Sequence, residues 1–255
     1  MYDDLSEAYD YFVDWDARLA YEMPFIEEYL REVNAVRVLD TACGTGMHAL
    51  ALARRGYHVV GTDFSVNMID RARSNASKAG LEVQFAVAEF GRTWAVAGDG
   101  FDVVLCLGNS LPHVRTLDDL SETLTDFASC LRPGGRLLVQ SRNFDAVLRG
   151  RERWMEPQSR QVGSSEWLFV RFYDFRPDGL LGFNIVTLHR PQQDDQWRQR
   201  PAMTLLRPWQ EHEMRKAFVD AGFTVVTAWG DMQRAPFDTL TSPNLIISGQ
   251  RRDAD

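Results

Sequence analysis

The chain reads as an α/β protein, a doubly wound, seven-stranded Rossmann-like sheet carrying an antiparallel β insertion that forms a lid. Three observations predict this. From Val36 to Gln140 short apolar runs alternate with helical patterns, which builds a parallel sheet with helices on both faces. A glycine-rich turn follows the first run, at the carboxyl edge where such sheets bind ligands. Between Arg149 and Pro208 the alternation gives way to aromatic and β-branched runs joined by turn residues, the pattern of antiparallel hairpins.

The elements follow in order. Residues 1–35 are acidic and aromatic at their start and read as a helical lid; a signal peptide would begin basic and turn apolar. Val36–Leu39 is the first buried strand, and Met47–Arg55 is an Ala/Leu-rich helix that stops at Gly56. After the strand His58–Thr62, Ser65 is a good N-cap. Val66, Ile69, Ala72, Ala76 and Ala79 then recur at helical spacing until Gly80. Val83–Ala88 and Phe101–Leu107 are further strands. Leu117, Leu120, Leu124, Phe127 and Leu131 form a helical stripe ended by Pro133-Gly134-Gly135, and Arg136–Gln140 is the fifth strand.

Residues 142–166 are polar and irregular. Glu166–Arg176 and Leu180–Arg190 read as a hairpin through Pro177-Asp178-Gly179, Pro191–Gln199 as a polar loop, and Ala202–Leu206 as a third antiparallel strand. Trp209–Ala221 is helical, Gly222 stops it, and Thr224–Trp229 and Leu245–Ser248 complete the sheet. We expect one domain over residues 1–255: the N-terminal lid 1–35, a cofactor-binding core 36–141, the β insertion 149–208 over the substrate site, and the final helix and strands 209–255.

Composition narrows the function. At 255 residues the chain is long enough to bury a core without disulfides or a structural metal. Lys and Arg number 28 against 36 Asp and Glu, a net charge of -8, which argues against a nucleic-acid partner held by its phosphates. No run of about 18 apolar residues is present, so no membrane span is expected. Cys43, Cys106 and Cys130 are scattered and form no CxxC pair, so neither a disulfide framework nor a zinc site is expected. The expectation from composition is a cytoplasmic protein without a metal. No signature of an oligomeric interface is legible.

The strongest motif is Val38-Leu39-Asp40-Thr41-Ala42-Cys43-Gly44-Thr45-Gly46, a strand running through a glycine turn into a helix. Its glycines let the backbone pass close to a ligand. Asp63 stands about twenty residues on, at the end of the second strand, placed to bond ribose hydroxyls. Gly44-Thr45-Gly46-Met47-His48-Ala49 also fits the looser dinucleotide form, so a nicotinamide cofactor competes with S-adenosylmethionine. Asp40 at the strand end suits the methionine ammonium, and Asp63-Phe64-Ser65-Val66-Asn67-Met68 offers apolar groups to flank adenine. A glycine turn that only packs is the bland reading.

The motifs LDTACGTG, GTDFS, FDVVLCLGNS and LRPGGRLL, in order over roughly residues 36–140, resemble those of class I S-adenosylmethionine-dependent methyltransferases. That family folds as a seven-stranded sheet with the last strand antiparallel, which the two C-terminal strands would complete. The resemblance implies S-adenosylmethionine as cofactor and S-adenosylhomocysteine as product. It implies cofactor contacts from Asp40, Ala42, Gly44, Gly46, Asp63, Phe64, Met68 and Leu107. An Asn-aromatic pair beside adenine in the family corresponds here to Glu89 and Phe90.

Cys106-Leu107-Gly108-Asn109-Ser110-Leu111-Pro112-His113 and Ser141-Arg142-Asn143-Phe144-Asp145 are similar to motifs of glycine and sarcosine N-methyltransferases. There the corresponding Asn and Arg hold the amino-acid substrate, which points to Asn109 and Arg142. A planar guanidinium pairs well with a carboxylate. Tyr9, Trp15 and Arg18 are the nearest matches to the aromatic and arginine side chains with which the family's first helix covers the cofactor.

Other readings stay open at this level. Asn109 also reads as a turn residue and Arg142 as a salt-bridge partner. His113 is a candidate base, though a loop histidine is more often a packing group. Glu211-His212-Glu213 lacks the second His a metal helix needs. The acceptor is a glycine-type amine, another amine or amino sugar, or a hydroxyl. A non-catalytic cofactor-binding module is the alternative outside enzymes. Fold does not choose among these.

Overall fold

The computed structural model describes residues 12–192 and 196–252. A first helix, α1 (Trp15–Glu32), precedes β1 (Arg37–Thr41), α2 (Met47–Ala53), β2 (His58–Asp63), α3 (Val66–Ala79), β3 (Gln84–Val87), α4 (Thr93–Ala97) and β4 (Phe101–Cys106). A 3-10 turn, Leu111–His113, leads to α5 (Leu117–Cys130), β5 (Leu131–Arg142) and α6 (Phe144–Gly150). The insertion contributes β6 (Gln158–Val162), β7 (Ser165–Phe175), β8 (Leu181–Arg190) and β9 (Arg198–Leu206). The chain then forms α7 (Glu211–Asp220), β10 (Phe223–Trp229) and β11 (Asn244–Arg251).

Seven strands form one sheet in the order β10-β11-β5-β4-β1-β2-β3. β1 pairs in parallel with β2 and β4, and β4 with β5, while β11 lies antiparallel to both β5 and β10. The fold class read from the sequence is therefore the one observed, down to the antiparallel final strand. Side-chain alternation explains the two-sided core. Val38, Val103 and Leu105 turn toward Phe25, Ile26 and Leu50, whereas Leu39, Val104 and Val139 turn toward Leu124, Phe127 and Phe218. The central strands β1, β4 and β5 thus bury both faces, as a parallel sheet between helices must.

Most of the expected elements are present, with instructive differences. β5 begins at Leu131, directly after α5, and carries Pro133-Gly134-Gly135 inside it; pairing with β4 jumps from Phe101–Leu131 to Val103–Arg136. Proline has no N–H for the ladder, so the strand bulges there rather than starting later. In the stretch read as irregular lie α6, capped by the Asn143 side chain on Ala146 N at 3.3 Å, and β6, whose exposed polar residues give no alternation to read. β6–β9 form a separate four-stranded antiparallel sheet. Within the N-terminal segment read as a lid, α1 buries Met23, Phe25, Ile26, Tyr29 and Leu30 in the core. The Tyr29 hydroxyl meets Ser248 Oγ at 2.5 Å, which ties this helix to the sheet. No helix among the described residues is long and apolar enough to cross a membrane.

Candidate active site

The carboxyl ends of β1, β2 and β4 open into a cavity of about 550 Å³, within the range of small-molecule sites. Its wall includes Ala42, Gly44, Asp63, Phe64, Met68, Glu89, Phe90 and His113, eight of the positions read from the sequence. Gly108, Ser110, Arg115, Asp119, Thr123 and, from β9, Thr204 and Leu205 also line it, and sequence reasoning did not single them out. The last two reach the wall because the insertion folds back onto the core. Arg207 N donates to Pro112 O at 2.8 Å, and Trp209 Nε1 donates to Val114 O at 2.8 Å, strapping the insertion's exit to the 3-10 turn.

The glycine loop is held by Asp63. Its Oδ2 accepts from Gly44 N and its Oδ1 from Ser65 N, both at 2.9 Å. The carboxylate thereby fixes the loop and the start of α3 while still lining the cavity. Gly44 and Ala42 both take positive φ, at 55° and 54°. Gly46 serves packing instead: at φ 80°, a Cβ there would stand 2.8 Å from Phe85 Cζ, away from the cavity wall. Leu107 is likewise buried in the core beneath the site. Phe64 is 55 % exposed and lines the cavity with its aromatic side chain.

Behind the loop lies a buried polar network. Asp40 is 1 % exposed and its Oδ2 has no hydrogen-bond partner among the described residues. Burial pushes its carboxyl up to about 6, against the pull of His48. His48 Nε2 meets Glu22 Oε2 at 2.6 Å, and Arg18 Nε donates to both Glu22 oxygens at 3.1 Å. Burial raises the Glu22 carboxyl, but His48 and Arg18 together outweigh it and hold the group below the ordinary range. The Arg18 guanidinium reaches Gly108, 3.5 Å from where a Cβ would stand. Trp15 packs edge-on to His48 at 5.5 Å, with Arg18 over its ring at 5.2 Å. Tyr9 lies outside the described residues.

Asn109 takes the left-handed conformation at φ 64°, and its Oδ1 accepts from Arg142 N at 2.9 Å. Together with Gln140 Oε1, which accepts from Gly108 N at 2.7 Å, it stitches the ends of β4 and β5. Asn109 is therefore a turn residue that positions Arg142. The remainder of the Arg142-Asn143-Phe144-Asp145 motif is also structural. Asn143 caps α6 and donates to Asp238 O and Ser242 O, Phe144 is buried, and Asp145 accepts from Gln210 Nε2 and Glu211 N at the start of α7. Arg142 differs: its Nε is buried with no partner, and no carboxylate among the described residues pairs with it.

His113 lines the cavity, but burial, helped by the charge of Arg115, pulls its imidazole down to about 4. It is neutral at physiological pH and a weak base. Burial raises the thiols of Cys106 and Cys130 to about 12 each and that of Cys43 well upward, so all three are inert packing groups. Glu211 and Glu213 pair with Arg215 and Arg207, and no metal-holding group of three His, Cys, Asp or Glu occurs among the described residues. Trp209 is buried in the core, Trp167 stacks on His189 at 3.9 Å, Trp154 lies against Phe172 at 5.0 Å, and Trp197 sits under Arg190.

Residues 38–135 match the family described as Methyltransferase domain. A glycine/sarcosine N-methyltransferase of Aphanothece halophytica is 35% identical over 142 residues, covering 56% of this chain and 54% of that protein. The matched stretch thus spans about half of that relative's length. A glycine/sarcosine N-methyltransferase of Parasynechococcus marenigrum is 28% identical over 242 residues, covering 91% of this chain and 78% of that protein. Among solved structures, an S-adenosylmethionine-dependent methyltransferase from Clostridium acetobutylicum superposes with a TM-score of 0.77 at 18% identity, covering 98% of this chain and 96% of that one. Residues 38–135 match the methyltransferase domain family, and the chain around them has the fold of S-adenosylmethionine-dependent methyltransferases.

Proposed function

We propose that the chain is an S-adenosylmethionine-dependent N-methyltransferase whose acceptor is a small amino acid. The observation that carries the acceptor class is Arg142, a guanidinium at the carboxyl edge of β5 with a buried Nε and no counterion among the described residues. An unpaired buried charge is costly unless a ligand completes it, and a carboxylate is the ligand its fork fits. The glycine/sarcosine relatives support the same reading.

The residues present fit the cofactor. The orphaned Asp40 Oδ2 is an acceptor suited to an ammonium. Arg18, held by Glu22, would take a carboxylate, Asp63 ribose hydroxyls, and Phe64 with Met68 the base. When bound, S-adenosylmethionine supplies a sulfonium methyl group. Arg142 anchors the acceptor's carboxylate, and Asn109 fixes the backbone from which Arg142 projects. The cavity wall limits water, and the amine enters deprotonated, since His113 is too weak a base to strip an ammonium. Such positioning supplies on the order of 7–11 kcal/mol in well-oriented systems.

The test is S-adenosylhomocysteine release with glycine, sarcosine, dimethylglycine and a panel of other amines and phenols. Turnover on an amino acid is expected. In Arg142→Ala the acceptor KM should rise roughly 30-fold or more, as for a lost charged hydrogen-bond pair of about 2 kcal/mol or above, with S-adenosylhomocysteine affinity kept. Equal loss of both affinities, or turnover on hydroxyl acceptors alone, overturns the reading.

A further inference from the structure

Arg142 has a second cation for company. Arg171 lies in the middle of β7, between the buried Phe169 and Tyr173 at alternate positions, so its side chain leaves the same face of the insertion sheet. That face looks onto the core: the Tyr173 ring packs against Phe144, two residues beyond Arg142, at 6.3 Å. Like Arg142, Arg171 has a buried Nε with no hydrogen-bond partner, and no carboxylate among the described residues pairs with it. Phe12 lies 5.0 Å from its guanidinium and closes one side. Burial, and after it the charge of Arg142, weakens the hold of Arg171 on its proton, so the two cations sense each other. The Tyr173 hydroxyl has no hydrogen-bond partner among the described residues, and both arginines pull against the burial that raises it to about 12.

Two half-buried guanidiniums with no counterion among the described residues repel each other and give up hydration. One carboxylate of a glycine-like acceptor neutralises only one of them. We propose that Arg171 is a second substrate-binding cation, and that the acceptor carries two negative charges beside its amine. An amino dicarboxylic acid and an amine bearing a phosphonate or phosphate share this chemistry. The inference rests on the amine-acceptor reading above and narrows it. Arg142 belongs to the core and Arg171 to the insertion, so acceptor choice is set where the two meet.

The experiment compares glycine, L-aspartate, iminodiacetate and aminomethylphosphonate at fixed ionic strength. A doubly anionic acceptor should show kcat/KM about tenfold or more above glycine, the effect of one further ion pair. Arg171→Met should bring that ratio to about one, and Arg171→Lys should restore part of it. The dicarboxylates and the phosphonate separate the two sources of charge. Glycine matching or exceeding every dianion, or a ratio unchanged in Arg171→Met, overturns the proposal. Should no compound turn over, the N-methyltransferase reading fails. The anion site is then judged by equilibrium binding of the same compounds to protein saturated with S-adenosylhomocysteine. A preference of about tenfold for a dianion that Arg171→Met abolishes supports it, and equal or absent binding overturns it.

Discussion

Asp40 is held in a place where ionisation is expensive. Its carboxyl, raised to about 6 by burial, faces His48, Asp63 and Arg18. Because the folded value lies above the unfolded one, the group favours the folded state below about pH 4, and that advantage disappears as pH rises through 6. Keeping it charged in the fold costs on the order of 3 kcal/mol, which an ammonium at Oδ2 would offset. Binding of S-adenosylhomocysteine should therefore weaken below pH 6, about tenfold by pH 5. Asp40→Asn should bind at least about tenfold more weakly at neutral pH and show no such slope. Calorimetric titrations across pH check this, and an identical slope in the variant would assign the titration to another group. Asn109 offers a second test at this scale. Asn109→Ala removes the acceptor from Arg142 N and puts alanine, which tolerates the left-handed region less well than asparagine, at φ 64°. A loss of about 1–3 kcal/mol in stability is expected, with the acceptor KM rising and cofactor affinity little changed. Unfolding midpoints and initial rates read the two separately.

At the scale of elements, the junction after β5 is built from caps. Asp145 accepts from Glu211 N at 2.9 Å at the first turn of α7, where a carboxylate also opposes the positive end of the helix. Asp145→Ala should cost about 1 kcal/mol, seen as a midpoint lower by roughly 2–4 °C, with KM for both substrates unchanged. A raised acceptor KM without destabilisation would make Asp145 a binding residue instead. The same junction shows what the sequence discloses. The motif around Arg142 was readable as a unit, but its residues divide into one unpaired cation and three structural groups, and only three-dimensional partners reveal the division. The glycine loop was legible because strand, turn and helix are consecutive. Asp63 was legible as well, although its grip on Gly44 was not. Arg171, Thr204 and Leu205 were invisible because nothing local marks them. Which side of β7 faces the core depends on strand parity, where a one-residue shift exchanges the two faces. β6 and α6 escaped notice because one lacks apolar alternation and the other is only two turns long.

Across the whole molecule the two halves of the site have different owners. The proposed cofactor side takes Asp40 and Asp63 from the consecutive core and Arg18 from α1, whose apolar face packs against that core. The proposed acceptor side joins the end of β5 to the insertion sheet, which the N-terminal segment also touches through Phe12 on Phe169 and Asp14 on Arg160. This division makes cofactor binding separable from acceptor binding in a single thermal measurement. A ligand at about 100 times its dissociation constant stabilises the folded state by about 2.7 kcal/mol, or roughly 5–10 °C for a chain of this size. S-adenosylhomocysteine should raise the wild-type midpoint by that amount, and Arg142→Ala and Arg171→Met should show the same rise. Asp40→Asn, binding about tenfold or more weakly, should lose about half of it or more. A rise that disappears in the arginine variants would mean that the insertion must close before the cofactor can bind, so that the molecule works as one coupled unit rather than as a core with a docked reader of acceptors.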